Sequence, residues 1–234
     1  MKVLIFIPAR GGSKGIPGKN LTKLNGEPLI KYTLDTVKEL VKNNNNWIPF
    51  ISTDNNEILT YCMSEGFKMD YLRPEKLSKD NSPMIDAILD ALDWLSKNNQ
   101  SVDSVLLLQP TSPLRDINSL LEAIALAKGK KDFSIVSTTN MREHPCECIE
   151  INKDGWSYLS KPESSSQQRQ SYDSNYYFMD GSFYFASKNF LMKNKTFLKE
   201  NKTEFFNLSH YWPIDIDEYE DLVVASAIMK EKNV

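Results

Sequence analysis

The stretch Val3–Asn20, VLIFIPARGGSKGIPGKN, decides how the chain is read. Val3 to Ile7 is apolar without alternation, which suits a strand buried on both faces at the centre of a parallel sheet. Pro8 has no N–H for a sheet ladder, so the strand ends there. The following loop holds Gly11, Gly12, Gly15 and Gly18, four of the nine glycines, with Arg10, Lys14 and Lys19 set among them. Glycines let a backbone approach a ligand and turn its N–H groups inward, and the basic side chains add charge. A loop of this kind at the carboxyl end of a buried strand suits a polyphosphate.

Two commoner phosphate loops fail on their residues. A P-loop needs Gly, four residues, then Gly-Lys-Ser/Thr. Here Gly18-Lys19 is followed by Asn20, and Ser13 stands five positions before Gly18. The dinucleotide fingerprint needs Gly-x-Gly-x-x-Gly running directly into a helix, and that spacing is absent, with Pro17 interrupting.

Outward from the loop, strands and helices alternate. Pro28 to Val41 carries Leu29, Ile30, Leu34, Val37, Leu40 and Val41 at helical spacing. Trp47 to Ser52 reads as a strand, and Asp54 with Glu57 resembles a capping box for a helix over 55–65. Phe67 to Leu72 reads as a third strand. Ser82-Pro83 signals a helix start, Ser as N-cap and Pro at the first helical position. Val105 to Leu108 is a further strand, then come a helix from Ile117 to Ala127, a strand from Phe133 to Ser137 and a final helix from Glu218 to Lys230. The pattern predicts an α/β, Rossmann-like, doubly wound and mainly parallel sheet. It breaks between Thr138 and Ser187, where short β-like pieces surround an Asp154-Gly155 turn.

The totals set the frame. With 234 residues, one α/β domain over 1–234 is expected. A net charge of −3 argues against a general nucleic-acid partner. The apolar N-terminal run is too short to span a membrane. Cys62, Cys146 and Cys148 form no disulfide framework, so the cytosol is the expected compartment. Cys146 and Cys148 lack the Cys/His pair that would complete a zinc site, and His210 stands alone.

Five segments in order resemble one family: PARGGSKGIPGKNL, Ser52-Thr53-Asp54, Arg73-Pro74 through Asp80, Leu108 to Arg115 (LQPTSPLR), and Ile214-Asp215-Ile216-Asp217. They are similar to the motifs of the CMP-N-acylneuraminate synthetases, cytidylyltransferases that activate sialic acid and its pseudaminate and legionaminate relatives. The resemblance implies a nucleotidyltransferase fold that joins CTP to a nonulosonic acid with Mg2+. It also implies a homodimer, with a β-rich dimerisation and sugar-pocket excursion at about 138–187. It assigns Ala9, Arg10, Gly11, Gly12, Ser13, Lys14, Lys19, Asn20, Arg73 and Ser82 to the nucleotide. Gln109, Ser112, Arg115, Arg169, Gln170 and Asp180 fall to the sugar acid. Arg10, Lys19, Asp215 and Asp217 would carry the chemistry.

The residues support these roles to different degrees. In an extended segment Ile214 and Ile216 point one way, and Asp215 and Asp217 the other. Paired carboxylates repel unless a cation sits between them, and Mg2+ binds through one or two carboxylates plus phosphates. Asp217 with Glu220 would equally cap the last helix. Lys14 and Lys19 have an alternative as solvated loop charges, and Arg115 as a helix cap or an ion-pair partner. An arginine such as Arg169 suits a carboxylate because its fork binds both oxygens. Glu147 and Phe178 stand where sialate-activating relatives often carry basic residues, and Asp180 where Asn is common. A different class of function, a nucleotide-binding regulatory module without turnover, also fits the loop.

Overall fold

The central sheet has six strands, five parallel and one antiparallel, in a computed structural model that describes residues 1–141, 143–161, 176–208 and 214–232. In chain order the elements are β1 (Val3–Pro8), β2 (Lys23–Leu24), β3 (Glu27–Pro28), α1 (Leu29–Lys42), β4 (Ile48–Ser52), α2 (Asn56–Ser64), α3 (Met84–Lys97) and β5 (Ser104–Leu107). Then follow α4 (Ile117–Ala125), β6 (Ser134–Asn140), β7 (Ile149–Asn152), β8 (Gly155–Tyr158), β9 (Tyr177–Ser187), α5 (Lys188–Asn194), β10 (Thr203–Asn207) and α6 (Tyr219–Lys232). The sheet order is β10-β6-β9-β5-β1-β4, with β9 antiparallel to both its neighbours.

The apolar run of β1 has no alternation because both faces of the strand are covered. Val3, Ile5 and Ile7 pack with Leu34 and Val37 of α1, Ile58 of α2 and Leu120 of α4. Leu4 and Phe6 pack on the other face with Ile88 and Leu92 of α3 and Phe190 of α5. Each fully buried side chain of this size contributes about 1.5–3 kcal/mol. A third, smaller core joins Ile16 of the glycine loop, Leu24, Leu29, Leu114, Ile216, and Ala225 and Met229 of α6. That cluster fixes the loop and the aspartate segment to one another.

The chain leaves β1 for β4 on one side and later returns as β5 on the other. This reversal opens a crevice at the carboxyl end of β1, where doubly wound sheets bind ligands. The glycine loop occupies that position.

Five local expectations are corrected. Residues 67–72 form no strand: Phe67 and Tyr71 bury into the two main cores, and the Tyr71 hydroxyl donates to Asp90 at 2.7 Å. Asn55, not Asp54, caps α2 by accepting from the Glu57 and Ile58 N–H groups. Ser82 caps nothing, since its hydroxyl donates to the Lys76 carbonyl at 2.9 Å and α3 starts after Pro83 without a side-chain cap. At the start of α6, Asp221 rather than Glu220 or Asp217 accepts N–H groups, those of Asp217 and Glu218. The β/α alternation does stop near Thr138, and β7 and β8 pair as a separate hairpin, but its turn is Lys153-Asp154 rather than Asp154-Gly155, because Gly155 already pairs with Asn152 as the first residue of β8. The stretch nonetheless returns to the main sheet, because Tyr184 to Ser187 of β9 pair with β5.

Candidate active site

The glycine loop is anchored at Ala9, Arg10, Gly11 and Gly15. Ala9 is buried, and its N–H donates to the Ser52 carbonyl at 2.9 Å, extending the β1–β4 ladder by one step. Asp54 Oδ1 accepts the Gly11 N–H at 2.8 Å, and Asn20 Nδ2 donates to the Arg10 carbonyl at 2.9 Å. Gly15 lies so close to the aspartate segment that a Cβ there would stand 2.2 Å from the Asp217 carbonyl oxygen. Gly18, at φ 64°, adopts the left-handed conformation that opens the turn Lys19–Leu21. Gly12 has open space around it and, with Ser13, forms the rim of the loop.

The three loop cations divide between two acids. Arg10 Nη1 and Lys14 Nζ both bind Asp80, at 2.7 and 3.0 Å. Lys19 is buried, and its Nζ donates to Asp217 Oδ1 and to the Ile216 carbonyl, both at 2.8 Å.

Ile216 is fully buried and its N–H donates to the Thr111 carbonyl at 2.8 Å, so the aspartate segment lies along the QPTSPLR loop. Gly181 marks where this loop meets β9. A Cβ built on it would be 3.5 Å from Asp215 Oδ2, 3.4 Å from Ser112 Oγ and 3.6 Å from Gln109 Nε2. The Ser112 hydroxyl donates to the Gly181 carbonyl at 3.1 Å. Asp215 keeps an accessible surface, yet the protein packed around its carboxyl pushes its pKa up. A hydrogen bond from Thr111 opposes that shift, and the neighbouring Asp217 charge adds to it.

Asp215 and Asp217 fit a hard dication. They are two mutually repelling oxygen donors, and among the described residues no third His, Cys, Asp or Glu joins them. A cation held there would complete its shell with phosphate oxygens and water, as Mg2+ does.

The remaining predicted residues lie at various depths. Arg73 is buried under the loop, its Nε donating to Ser52 Oγ at 2.9 Å and its guanidinium also binding the Ser52 carbonyl. Burial lowers its pKa, with Tyr71 and Asp54 opposing. Arg115 brackets three elements, binding the Ser182 carbonyl at 2.6 Å, Thr33 Oγ1 at 2.8 Å and the Gln109 carbonyl. Asp180 is buried, and its Oδ1 accepts from Ser137 Oγ at 2.6 Å and the Ser182 N–H at 2.8 Å, shaping the turn at Gly181. Its Oδ2 has no hydrogen-bond partner among the described residues. Arg169 and Gln170 fall outside the described residues, while Glu147 and Phe178 are exposed. A cavity of about 750 Å³, lined by Trp47, Asp103, Lys130 and Lys188, opens at the opposite, amino end of the strands, far from these groups.

Three residues of the site carried no ligand-facing signal in the sequence: Asp54, Asp80 and Thr111. All three lie within family-like segments, which was the available clue.

A family model described as cytidylyltransferase matches residues 4–234. The chain belongs to the cytidylyltransferase family. A CMP-N,N'-diacetyllegionaminic acid synthase from Legionella pneumophila is 36% identical over 171 residues, 70% of this cytidylyltransferase and 68% of that protein. An N-acylneuraminate cytidylyltransferase from Streptococcus agalactiae is 32% identical over 76% of this chain but only 41% of its own length. A pseudaminic acid cytidylyltransferase from Campylobacter jejuni is 36% identical over 53% of this chain and 52% of its own. Among solved structures, a CMP:2-keto-3-deoxy-manno-octonic acid synthetase complexed with CTP superposes at TM-score 0.69 with 14% identity, covering 99% of this chain and 100% of that one. A 4-diphosphocytidyl-2C-methyl-D-erythritol synthase from Anaerococcus prevotii superposes at 0.63, with 16% identity. These two likenesses show a shared nucleotidyltransferase-type α/β fold. No helix among the described residues is long and apolar enough to cross a membrane.

Proposed function

We propose that the chain activates a nonulosonic sugar acid by joining it to CMP from CTP, with release of pyrophosphate. The observation that carries this reading is the meeting of three segments at the carboxyl end of β1. The cationic glycine loop, the Asp215–Asp217 pair and the Gln109–Ser112 loop lie against one another through Lys19, Gly15 and Gly181. The relatives named for legionaminate, neuraminate and pseudaminate chemistry support the substrate class.

In the proposed reaction the anomeric hydroxyl oxygen of the acid attacks the α-phosphorus. A new P–O bond forms, the α–β P–O bond breaks, pyrophosphate departs and the hydroxyl proton passes to solvent or a nearby carboxylate. Arg10, Lys14 and Lys19 neutralise the triphosphate, with Ala9 to Ser13 and Asn20 shaping the loop around it and Arg73 and Ser82 supporting the segment on its flank. Gln109 and Ser112 face the acceptor, while Arg115 and Asp180 fix the turn beside it. Asp215 and Asp217 would hold Mg2+, which when bound offsets phosphate charge. Such catalysis is chiefly positioning and electrostatics.

The same reading assigns a homodimer. Ile151, Trp156 and Leu159 of the hairpin region and Tyr177 and Phe178 of β9 are all at least half exposed, an apolar surface that a second copy would cover. It also assigns the cytosol, where CTP is made and where Cys62, Cys146 and Cys148 remain thiols.

The test is product identification. The chain, CTP and Mg2+ are incubated separately with eight- and nine-carbon keto-sugar acids, and CMP-sugars are sought by mass spectrometry. A CMP adduct of at least one nine-carbon acid is expected. Tight CTP binding with no adduct from any acid would instead favour a binding module.

A further inference from the structure

Two of the three loop cations converge on a single carboxylate that the sequence did not single out. Arg10 Nη1 lies 2.7 Å from Asp80 Oδ1, and Lys14 Nζ lies 3.0 Å from Asp80 Oδ2. Arg10 Nη1 also donates to the Ser78 carbonyl at 3.4 Å. Each carboxylate oxygen therefore takes one cation, as two oxygens of a phosphate would.

Asp80 is not presented by a loose strand of chain. It sits between the turn Glu75–Leu77 and α3, in a segment closed by the Ser82 hydroxyl on the Lys76 carbonyl at 2.9 Å and by the Ser82 N–H on the Lys79 carbonyl at 3.0 Å. The root of that segment is held by Arg73, whose N–H donates to the Thr53 carbonyl at 2.7 Å and whose buried guanidinium binds Ser52. The tip is held by the cations, which keep the Asp80 carboxyl below the usual carboxylate range.

We propose that Asp80 is a built-in counter-ion of the glycine loop, standing in for phosphate charge when no nucleotide is bound and displaced by the incoming triphosphate. The inference rests on the reading of that loop as the CTP triphosphate site. It gives Asp80 a defined part in the cycle: it weakens CTP binding, and by re-forming its ion pairs it helps pyrophosphate leave. The side chains of Arg10, Asp80 and Lys14 are 35%, 50% and 78% exposed, so the effect is moderate and salt-dependent.

Calorimetric titration of CTP, tripolyphosphate and cytidine into wild type, Asp80→Asn and Asp80→Ala at low salt tests this, with thermal melts to confirm the fold. Both variants should bind CTP and tripolyphosphate more tightly by about three- to tenfold, since two exposed ion pairs no longer compete. Cytidine affinity should not change, and the gain should shrink at high salt. Equal or weaker CTP binding by folded variants would overturn the proposal, because Asp80 would then be an ordinary surface partner or an aid to the cations. Should wild type bind neither CTP nor tripolyphosphate, the loop reading itself fails, an outcome distinct from unchanged binding in the variants.

Discussion

Lys19 Nζ lies 2.8 Å from Asp217 Oδ1 and donates to the Ile216 carbonyl at the same distance, so one buried ammonium joins the glycine loop to the paired aspartates. In the proposed reaction this ammonium neutralises charge on the triphosphate. Replacing it by methionine, Lys19→Met, removes the charge and keeps the length. Turnover is expected to fall by about 10²–10³-fold, the usual effect of losing one preorganised electrostatic stabiliser. Asp217 is largely solvent-exposed, so the melting temperature should change little. Steady-state pyrophosphate release together with a thermal melt checks both.

The aspartates offer a second comparison. With Asp221 taking the helix-start N–H groups, Asp217 has no capping duty to explain it away. Asp215→Asn and Asp217→Asn should therefore both lose most activity, since a neutral amide is a poor ligand for a hard dication. Mg2+ titration in the presence of CTP, followed calorimetrically, should show weaker metal uptake in each. A nearly silent Asp217→Asn would leave Asp215 alone with the metal role.

The raised pKa of Asp215 makes a stability prediction of definite sign. Its folded carboxyl holds its proton to higher pH than the unfolded one, so ionisation begins to cost stability once pH passes the unfolded value, and the full cost is present above the folded value. Asp215→Asn should accordingly melt higher than wild type at neutral pH without metal, and equally at pH below the usual carboxylate range. The gain should stay below about 1 kcal/mol because the carboxylate keeps solvent contact. Melts across pH read it directly.

Gly15 and Gly12 separate packing from ligand contact. Gly15→Ala would press a Cβ against the Asp217 carbonyl oxygen, whereas Gly12→Ala meets nothing within 4 Å. Overpacking of this kind costs about 1–3 kcal/mol, so Gly15→Ala should melt lower and lose activity. Gly12→Ala should melt like wild type. Equal melts for the two would show that the loop does not dock on the aspartate segment.

Assembly is tested at the hairpin. Wild type should sediment as a dimer at micromolar concentration, and Ile151→Glu with Trp156→Glu as a folded monomer, because both side chains are 61–76% exposed in the single chain. A wild-type monomer with full activity would remove the homodimer from the account.

Some of this was legible in the sequence for clear physical reasons. The VLIFI run showed β1 because only a strand buried on both faces needs no alternation. Ile216 turned inward as the two-residue period requires, exposing Asp217. What escaped was the long-range pairing. Asp54 and Asn55 are neighbouring cap formers, and only the folded position of Gly11 shows which one serves the loop. Arg115 holds carbonyl and hydroxyl groups 67 and 82 positions away, which no spacing rule reaches. Phe67 to Leu72 has the composition of a strand, but its side chains fill two cores. Asp80 meets Arg10 across 70 positions and so was read only as part of a polar segment.

The most direct test of the central claim is the initial rate of pyrophosphate release from CTP with Mg2+, measured with and without a nonulosonic acid such as legionaminate, neuraminate or pseudaminate. The account predicts release that requires both CTP and one of these acids, equals the CMP-sugar formed, and falls at least a hundredfold in Lys19→Met. Pyrophosphate released without any acid, or no release with every acid while CTP binds tightly, would contradict it.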